Sequence, residues 1–208
     1  MPVAIAPAPP HRHERPDRPE PYRWSRAVYE QAVLAGVFDS GPDEWAGPRV
    51  ELLDGEIIDM PPLSPLHVTA LGRAVRVIGN ALAALPVGHV HLRTQAPLAL
   101  DDRSEPEPDL AIVRGDLDDY AEAHPTSALL VVEVSSSTLI YDRTRKAAAY
   151  ARNGIPEYWI INLNERAVEV MRDPTADGYR FGAVFAADER VQSSVLPPVD
   201  LAVADLLP

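Results

Sequence analysis

Apolar residues recur along this chain with two different periods. Between Ser64-Pro65 and Leu85 they fall at Leu66, Val68, Leu71, Val75, Ile78, Leu82 and Leu85. Spacings of two, three and four predict a helix whose apolar stripe runs from Val68 onward. Ser64 is its N-cap, Pro65 takes the first helical position, and Pro86-Val87-Gly88 ends it. Arg73 and Arg76 lie off the stripe, towards solvent or a ligand. A shorter helix is predicted over Arg26 to Ala35, capped by Ser25 and stopped by Gly36.

Elsewhere the pattern is strand-like. Arg49–Leu53 and Glu56–Met60 flank Asp54-Gly55, a dipeptide suited to the positive φ angles of a type I′ hairpin turn. His89–Thr94, Pro97–Leu100 and the run from Asp109 to Val113 read as strands. Asp116–His124 reads as a short acidic helix or loop. Leu129–Val134, LLVVEV, is almost wholly apolar, the signature of a strand buried on both faces of a sheet. A helix capped by Ser137 or Thr138 follows, running to about Arg152 and stopped by Asn153-Gly154, and then a strand over Glu157–Asn162. The last part alternates in antiparallel fashion over Ala167–Met171, Tyr179–Phe185 and Arg190–Val195. Residues 1–22 carry seven prolines by Pro21 and predict a disordered tail, in which His11 and His13 are solvent-exposed. The folded part is expected as one domain over 23–208.

Composition narrows the function. The 208 residues contain no cysteine, which excludes disulfides and thiolate metal sites and favours a cytoplasmic protein. No apolar run approaches the roughly 20 residues of a membrane span, and no secretory signal is expected. The net charge of -12 speaks against an extended phosphate-binding face. Of the 19 basic residues only Lys146 is a lysine. Where arginine serves everywhere else, a lone lysine points to a need for a compact ammonium with a tunable pKa.

The candidate chemistry lies between Ser104 and Trp159. Asp109 opens one apolar strand and Glu133 stands near the end of another. If these strands are neighbours, the two acids converge on one cation, the hard-oxygen set that Mg²⁺ takes. Lys146, about two turns into the next helix, can reach them, orient an attacking water and stabilise phosphoryl charge. Each residue also has a plainer reading. Asp109 can bond local amides at a strand start, and Lys146 can pair with Asp142 four residues before it. Glu133 is harder to dismiss, since a buried carboxylate is costly without a partner. Glu51 can complete the acidic cluster or be an ordinary hairpin acid. His67 can contact substrate or a carboxylate, or simply cap and pack. Gln95 and Tyr150 can flank the pocket. His89 and His91, two histidines without a third ligand, make a weak zinc signal. No phosphate-loop, dinucleotide or nucleophile-elbow motif occurs.

The order of PEPDLAIV, VVEVSSST and DRTRKAAAYARNGIPEYWII, with VELLDGEIIDMPPLSPLH before them, resembles the PD-(D/E)XK nuclease superfamily. The closer likeness is to its branch of small bacterial restriction endonucleases, long filed as a domain of unknown function. It spans about Val50 to Phe185. The resemblance implies an α/β fold: a restriction-endonuclease-like mixed sheet with an αβββαβ core, flanked by helices, with N-terminal and C-terminal antiparallel hairpins. It implies Asp109 and Glu133 as metal ligands, the Val134 carbonyl as a further ligand, Mg²⁺ or Mn²⁺ as cofactor, and DNA as substrate. One departure stands out: the superfamily's lysine follows the second acid by two residues, and here Ser135 occupies that position. Lys146 is the substitute, its amine entering from the helix.

The leading expectation is thus a Mg²⁺-dependent endonuclease hydrolysing DNA, working as a homodimer, with Lys146, Glu51 and His67 as catalytic candidates. Arg73, Arg76, Arg93, Arg114, Arg143, Arg145 and Arg152 would have to gather at the cleft to offset the acidic chain. Two alternatives remain: a nuclease-fold binding or regulatory protein without useful cleavage, and a metal-dependent hydrolase of a small phosphorylated substrate. Whether Lys146 shares a pocket with Asp109 and Glu133 separates both enzyme readings from the binding protein.

Overall fold

The computed structural model describes residues 19–39, 49–85 and 90–208. Most of the proline-rich tail with His11 and His13, the helix stop at Pro86-Val87-Gly88, and His89 lie outside the described residues. Helix α1 (Arg26–Leu34) starts at Ser25, whose hydroxyl accepts from the Val28 N–H. The chain turns out of it at Gly36, at φ 70°. Strands β1 (Arg49–Leu53) and β2 (Glu56–Met60) form the expected hairpin. Its turn residues Asp54 and Gly55 both have positive φ, 55° and 75°, as a type I′ turn requires.

Helix α2 (Pro65–Leu82) has Ser64 as N-cap and Pro65 at its start. Its buried side is Ala70, Leu71, Ala74 and Ile78. Leu66 and Val68 are exposed, so the stripe begins later than its apolar spacing suggests. The first turn directs His67 at Asp109, and successive helical residues lie about 100° apart, which turns both neighbours away from the core.

Strands β3 (Val90–Thr94), β4 (Leu110–Arg114), β5 (Leu130–Ser135), β6 (Glu157–Asn162), β7 (Ala167–Thr175) and β8 (Gly178–Ala186) form one six-stranded sheet in the order β3-β4-β5-β6-β7-β8. Only the β5–β6 pairing is parallel. It is bridged by a helical crossover that runs as α3 (Leu139–Tyr141), a π-helical turn over Asp142–Lys146, and α4 (Ala147–Arg152). Thr138 stands at its N-terminus, but its hydroxyl donates to the Asp142 carboxylate rather than capping the helix. Asn153 and Gly154, the latter at φ 73°, end the run. With α2 ahead of the three antiparallel strands, this gives the αβββαβ core.

Every residue of β5 is buried, and alternation sorts its side chains between two layers. Leu130, Val132 and Val134 join α2 and the C-terminal helix α5 (Val203–Leu206) in one core, with Trp159 and Ile161. Val131 joins Tyr158, Ile160 and Tyr150 in the other, beneath α4. Glu133 shares that second face, so an acid in an apolar strand is aimed at the crossover helix.

Two strand expectations are corrected. Leu98, Ala99 and Leu100 donate to Pro106, Pro125 and Ser104. With their N–H groups sent to separated partners, and none on Pro97, this stretch cannot join a ladder. Arg190–Val195 does not extend the antiparallel run. Only Arg190–Gln192 is a strand, β9, and it pairs with β10 (Asp200–Ala202) in a sheet of its own. Ser193 and Ser194 turn away to donate to the buried Glu157 carboxylate. The segment 116–124 holds a single 3₁₀ turn, Leu117–Tyr120.

Candidate active site

The β4–β5 pairing ends at Leu110↔Val132, and the site occupies the space beyond it. Asp109, one residue before β4, directs its carboxylate across this gap. Its Oδ2 accepts from the Val134 N–H at 2.8 Å, standing in for the missing ladder partner. Its own N–H reaches Glu133 Oε2 at 3.3 Å. Strand geometry turns a residue's N–H and C=O to the same neighbour, so the Val134 carbonyl faces this gap as well.

The other face supplies the ammonium. Lys146 Nζ donates to Glu133 Oε1 at 2.9 Å and lies 3.3 Å from Glu51 Oε2. The Lys146 side chain is almost wholly buried, with the residue 1% exposed. The π turn makes this possible. Its extra residue per turn breaks the α-helical register, and Lys146 points under the helix at Glu133 and Glu51. The plainer reading of Lys146, an i,i+4 pair with Asp142, gives way to these two longer-range partners. The Asp142 carboxylate accepts from Thr138 Oγ1 instead, at 2.7 Å.

The hairpin closes the site from a third direction. Glu105 N–H bonds the Leu52 carbonyl and Gly55 N–H bonds the Arg103 carbonyl, docking the hairpin on the segment that leads to Asp109. Glu51 is thereby buried, with Oε1 accepting from Tyr141 OH at 3.0 Å and Oε2 from the Glu107 N–H at 3.1 Å. On the open side, His67 Nε2 lies 2.9 Å from Asp109 Oδ1, and Gln95 Nε2 reaches the same oxygen at 3.4 Å. All six residues read from the sequence as site candidates are thus linked: His67 to Asp109, Asp109 to Val134 and Glu133, Glu133 to Lys146, and Lys146 to Glu51. Tyr150, a flanking candidate, donates to Glu133 Oε1 at 2.8 Å. Of the two histidines that make the weak zinc signal, His89 lies outside the described residues, and His91 bonds the Gly115 carbonyl and packs on Tyr120.

A cavity of about 60 Å³ opens onto Asp109, Glu133, Val134 and Lys146. Burial, with the neighbouring Asp109, Asp142 and Glu51 charges, pushes the Glu133 carboxyl up to about 8 even though Lys146 opposes it. Burial also works against the Lys146 charge, but Glu133, Glu51 and Asp142 outweigh it and hold the ammonium well above the ordinary lysine value. The two directions look opposed and have one cause. The cage holds more carboxylates than one ammonium neutralises, so Lys146 stays charged while ionisation of Glu133 is resisted. Burial raises Asp142 and Glu107 in the same way.

This surplus of negative charge fits a cation. Among the described residues no three His, Asp or Glu side chains are grouped to hold a metal by themselves. The donors on offer are two carboxylates and a main-chain carbonyl beside a small polar cavity, the set that suits a hard divalent ion keeping several of its waters.

The seven arginines that would have to gather at the cleft to offset the acidic chain do not line this pocket, whereas Arg49 and Lys146 do. Arg143 is committed to Glu169 through two bonds at 2.8 and 2.7 Å, Arg145 to Glu56 at 2.6 Å, and Arg152 to Asp54 at 2.6 Å. Arg73 bonds the Leu207 carbonyl, and Arg93 lies over the Tyr120 ring. Acids brought in by the hairpin and β7 take the arginines of the crossover helix. Sequence reading missed Tyr141, Glu107 and Arg49. The alternation of acids in Glu105-Pro106-Glu107-Pro108-Asp109 is the one signal that could have singled out Glu107.

Residues 40–204 match the Uma2 family, described as "Putative restriction endonuclease". The chain belongs to the Uma2 family. The resemblance carried by the motifs agrees with this membership. A crystal structure from Anabaena variabilis ATCC 29413, described as "a putative nuclease belonging to DUF820", has the same fold, with a TM-score of 0.62. It is 21% identical, and the match covers 76% of this chain and 89% of that one. No curated protein matches the chain. The Uma2 match takes in every residue of the Asp109–Glu133–Lys146 cluster.

Proposed function

We propose that this Uma2 protein is a divalent-metal-dependent endonuclease that hydrolyses DNA phosphodiester bonds. One observation carries the reading: Asp109, Glu133 and Lys146, which stand on separate elements, meet in one pocket with Lys146 Nζ 2.9 Å from Glu133 Oε1. Asp109, Glu133 and the Val134 carbonyl would hold Mg²⁺ or Mn²⁺. Such an ion supplies neutralisation of phosphoryl charge and a bound water of lowered pKa. Lys146 is not a proton acceptor, because it is held firmly as an ammonium. It orients a water by donating from Nζ, and it stabilises negative charge on the phosphoryl oxygens. Glu51 fixes the ammonium, Tyr150 fixes Glu133, and His67 fixes Asp109 through Oδ1.

The working unit in this reading is the domain over residues 23–208, acting in the cytoplasm. Cutting two strands suits a two-fold homodimer, and β8 at the sheet edge, with Phe181 and Val184 exposed, offers a pairing surface. Ser135, standing where the superfamily has its lysine, favours a second reading, a nuclease-fold protein that binds without cutting. Incubation of supercoiled plasmid and short duplexes with Mg²⁺ or Mn²⁺, beside a Lys146→Ala control, separates the two. The nuclease reading expects cleavage that falls at least about 100-fold in the variant. Cleavage that survives in Lys146→Ala sinks the assigned role. DNA retention in a mobility-shift assay without any cutting selects the second reading.

A further inference from the structure

A second cleft, of about 640 Å³, lies behind the strap Glu105-Pro106-Glu107. It runs between α1 and residues 120–126, and Glu107 lines both it and the candidate active site. Its walls are apolar and partly open: Val33 and Leu34 of α1 are 46% and 88% exposed, and Tyr29 and Tyr120 also line it. Its floor is acidic. Glu30, Glu105 and Glu107 face the cleft with one arginine, Arg26. That arginine donates to Glu30 Oε1, one of these acids, and to the Asp101 carbonyl, so it offsets Glu30 first.

Glu105 is the informative group. The residue is 5% exposed, and with both it and Glu30 ionised its Oε2 has no hydrogen-bond partner. Arg26 Nη1 is 3.9 Å from that oxygen, beyond hydrogen-bonding range. Buried carboxylate oxygens are rarely left without a donor, because desolvation without a partner costs about 1–3 kcal/mol or more. The geometry points to a binding site for a small organic cation, an amidine, guanidine or primary amine on an apolar body, whose N–H group donates to Glu105 Oε2 while its hydrocarbon part packs on Val33, Leu34 and Tyr29. A neutral donor would satisfy the oxygen but not the charge. Burial, then a carboxyl–carboxyl hydrogen bond with Glu30 and its charge, pushes Glu105 up to about 7, with Arg26 opposing and Glu107 adding to the effect, so the shared proton is lost above that pH and a cation can take its place. Burial holds the His124 ring below the ordinary histidine value, so it brings little positive charge at neutral pH. Cleft size is in the range of small-molecule sites. This site is independent of the nuclease reading.

The test is calorimetric titration of the full-length chain at pH 8 with benzamidine, and with benzamide as its uncharged counterpart. The expected result is saturable benzamidine binding, benzamide weaker by about tenfold or more, and a loss of about tenfold or more in Glu105→Gln. Glu133→Gln, which alters the other pocket, should bind as the parent does. Val33→Arg, at an exposed position, places a guanidinium in the cleft and should abolish binding whether or not Glu105→Gln folds. No binding by the parent, equal binding of benzamide, or undiminished binding in a folded Glu105→Gln or in Val33→Arg overturns the assignment. Loss of binding in a folded Glu133→Gln would do so as well.

Discussion

Replacing Lys146 with methionine tests the cage directly. The side chains are similar in length, so packing beneath the crossover helix is nearly kept while the charge is removed. In the parent, Nζ lies 2.9 Å from Glu133 Oε1 and 3.3 Å from Glu51 Oε2, and the residue is 1% exposed. Loss of one partner from a buried ion pair costs about 3–5 kcal/mol, because the remaining charge is stranded. Glu133 can take up a proton, because burial already pushes it up to about 8, which leaves Glu51 as the stranded charge and puts Lys146→Met within that range. In a domain of this size, 1 kcal/mol corresponds to about 2–4 °C in Tm, which gives a fall of roughly 6–20 °C. Urea unfolding at fixed pH, followed by tryptophan fluorescence, measures the free energy, since Trp159 is fully buried in the sheet. The combination Lys146→Met/Glu133→Gln should recover about 1–3 kcal/mol of the loss, as neighbours sharing an interaction do in a double-mutant cycle. A fall under about 1 kcal/mol in Lys146→Met, or strict additivity with Glu133→Gln, would refute the claim that this lysine is the counter-charge of the site.

Three further outcomes follow from the same geometry. His67→Gln, which disturbs the contact to Asp109 Oδ1, should weaken Mn²⁺ binding by about 10–100-fold by calorimetry, and unchanged affinity would remove His67 from the site. Glu105 is raised from its ordinary 4.5 to about 7 in the folded chain, so the folded state keeps a proton that the unfolded state releases between those values. Its contribution to stability is therefore greatest below about pH 4.5 and lost as pH rises towards 7, on the order of 1–2 kcal/mol after solvent screening. Glu105→Gln should flatten that part of the urea-midpoint profile, and an identical slope would contradict the assignment. Gly55→Ala should cost about 1 kcal/mol or more, because φ is 75° and a Cβ would sit 3.0 Å from the Trp24 carbonyl oxygen. A Tm equal to the parent's would show that the turn relaxes freely.

Several features were legible because they depend on local chemistry. Asp54-Gly55 specifies its turn through positive φ, Ser64-Pro65 specifies a helix start, and the unbroken apolar run of LLVVEV specifies a central strand. Glu133 was conspicuous for the same reason: a carboxylate in such a strand is tolerated only with partners. The lone lysine was conspicuous through composition. Their meeting point required the β4–β5 adjacency, which no local pattern encodes.

What the sequence by itself determined was therefore the elements, their order, and the identity of the acids and the ammonium. The tertiary structure alone decided their partners. Lys146 meets Glu133 and Glu51 because a π turn shifts the helix register, and because the hairpin docks on residues 103–105, bringing Tyr141 to Glu51 from 90 positions away in the chain. The arginines of the same helix end on Glu56, Asp54 and Glu169 rather than at the pocket. The reason is the range of the forces. Turn and helix preferences act over a few residues, whereas a charge chooses among every opposite charge that folding brings within reach, and that choice exists only once the chain is packed.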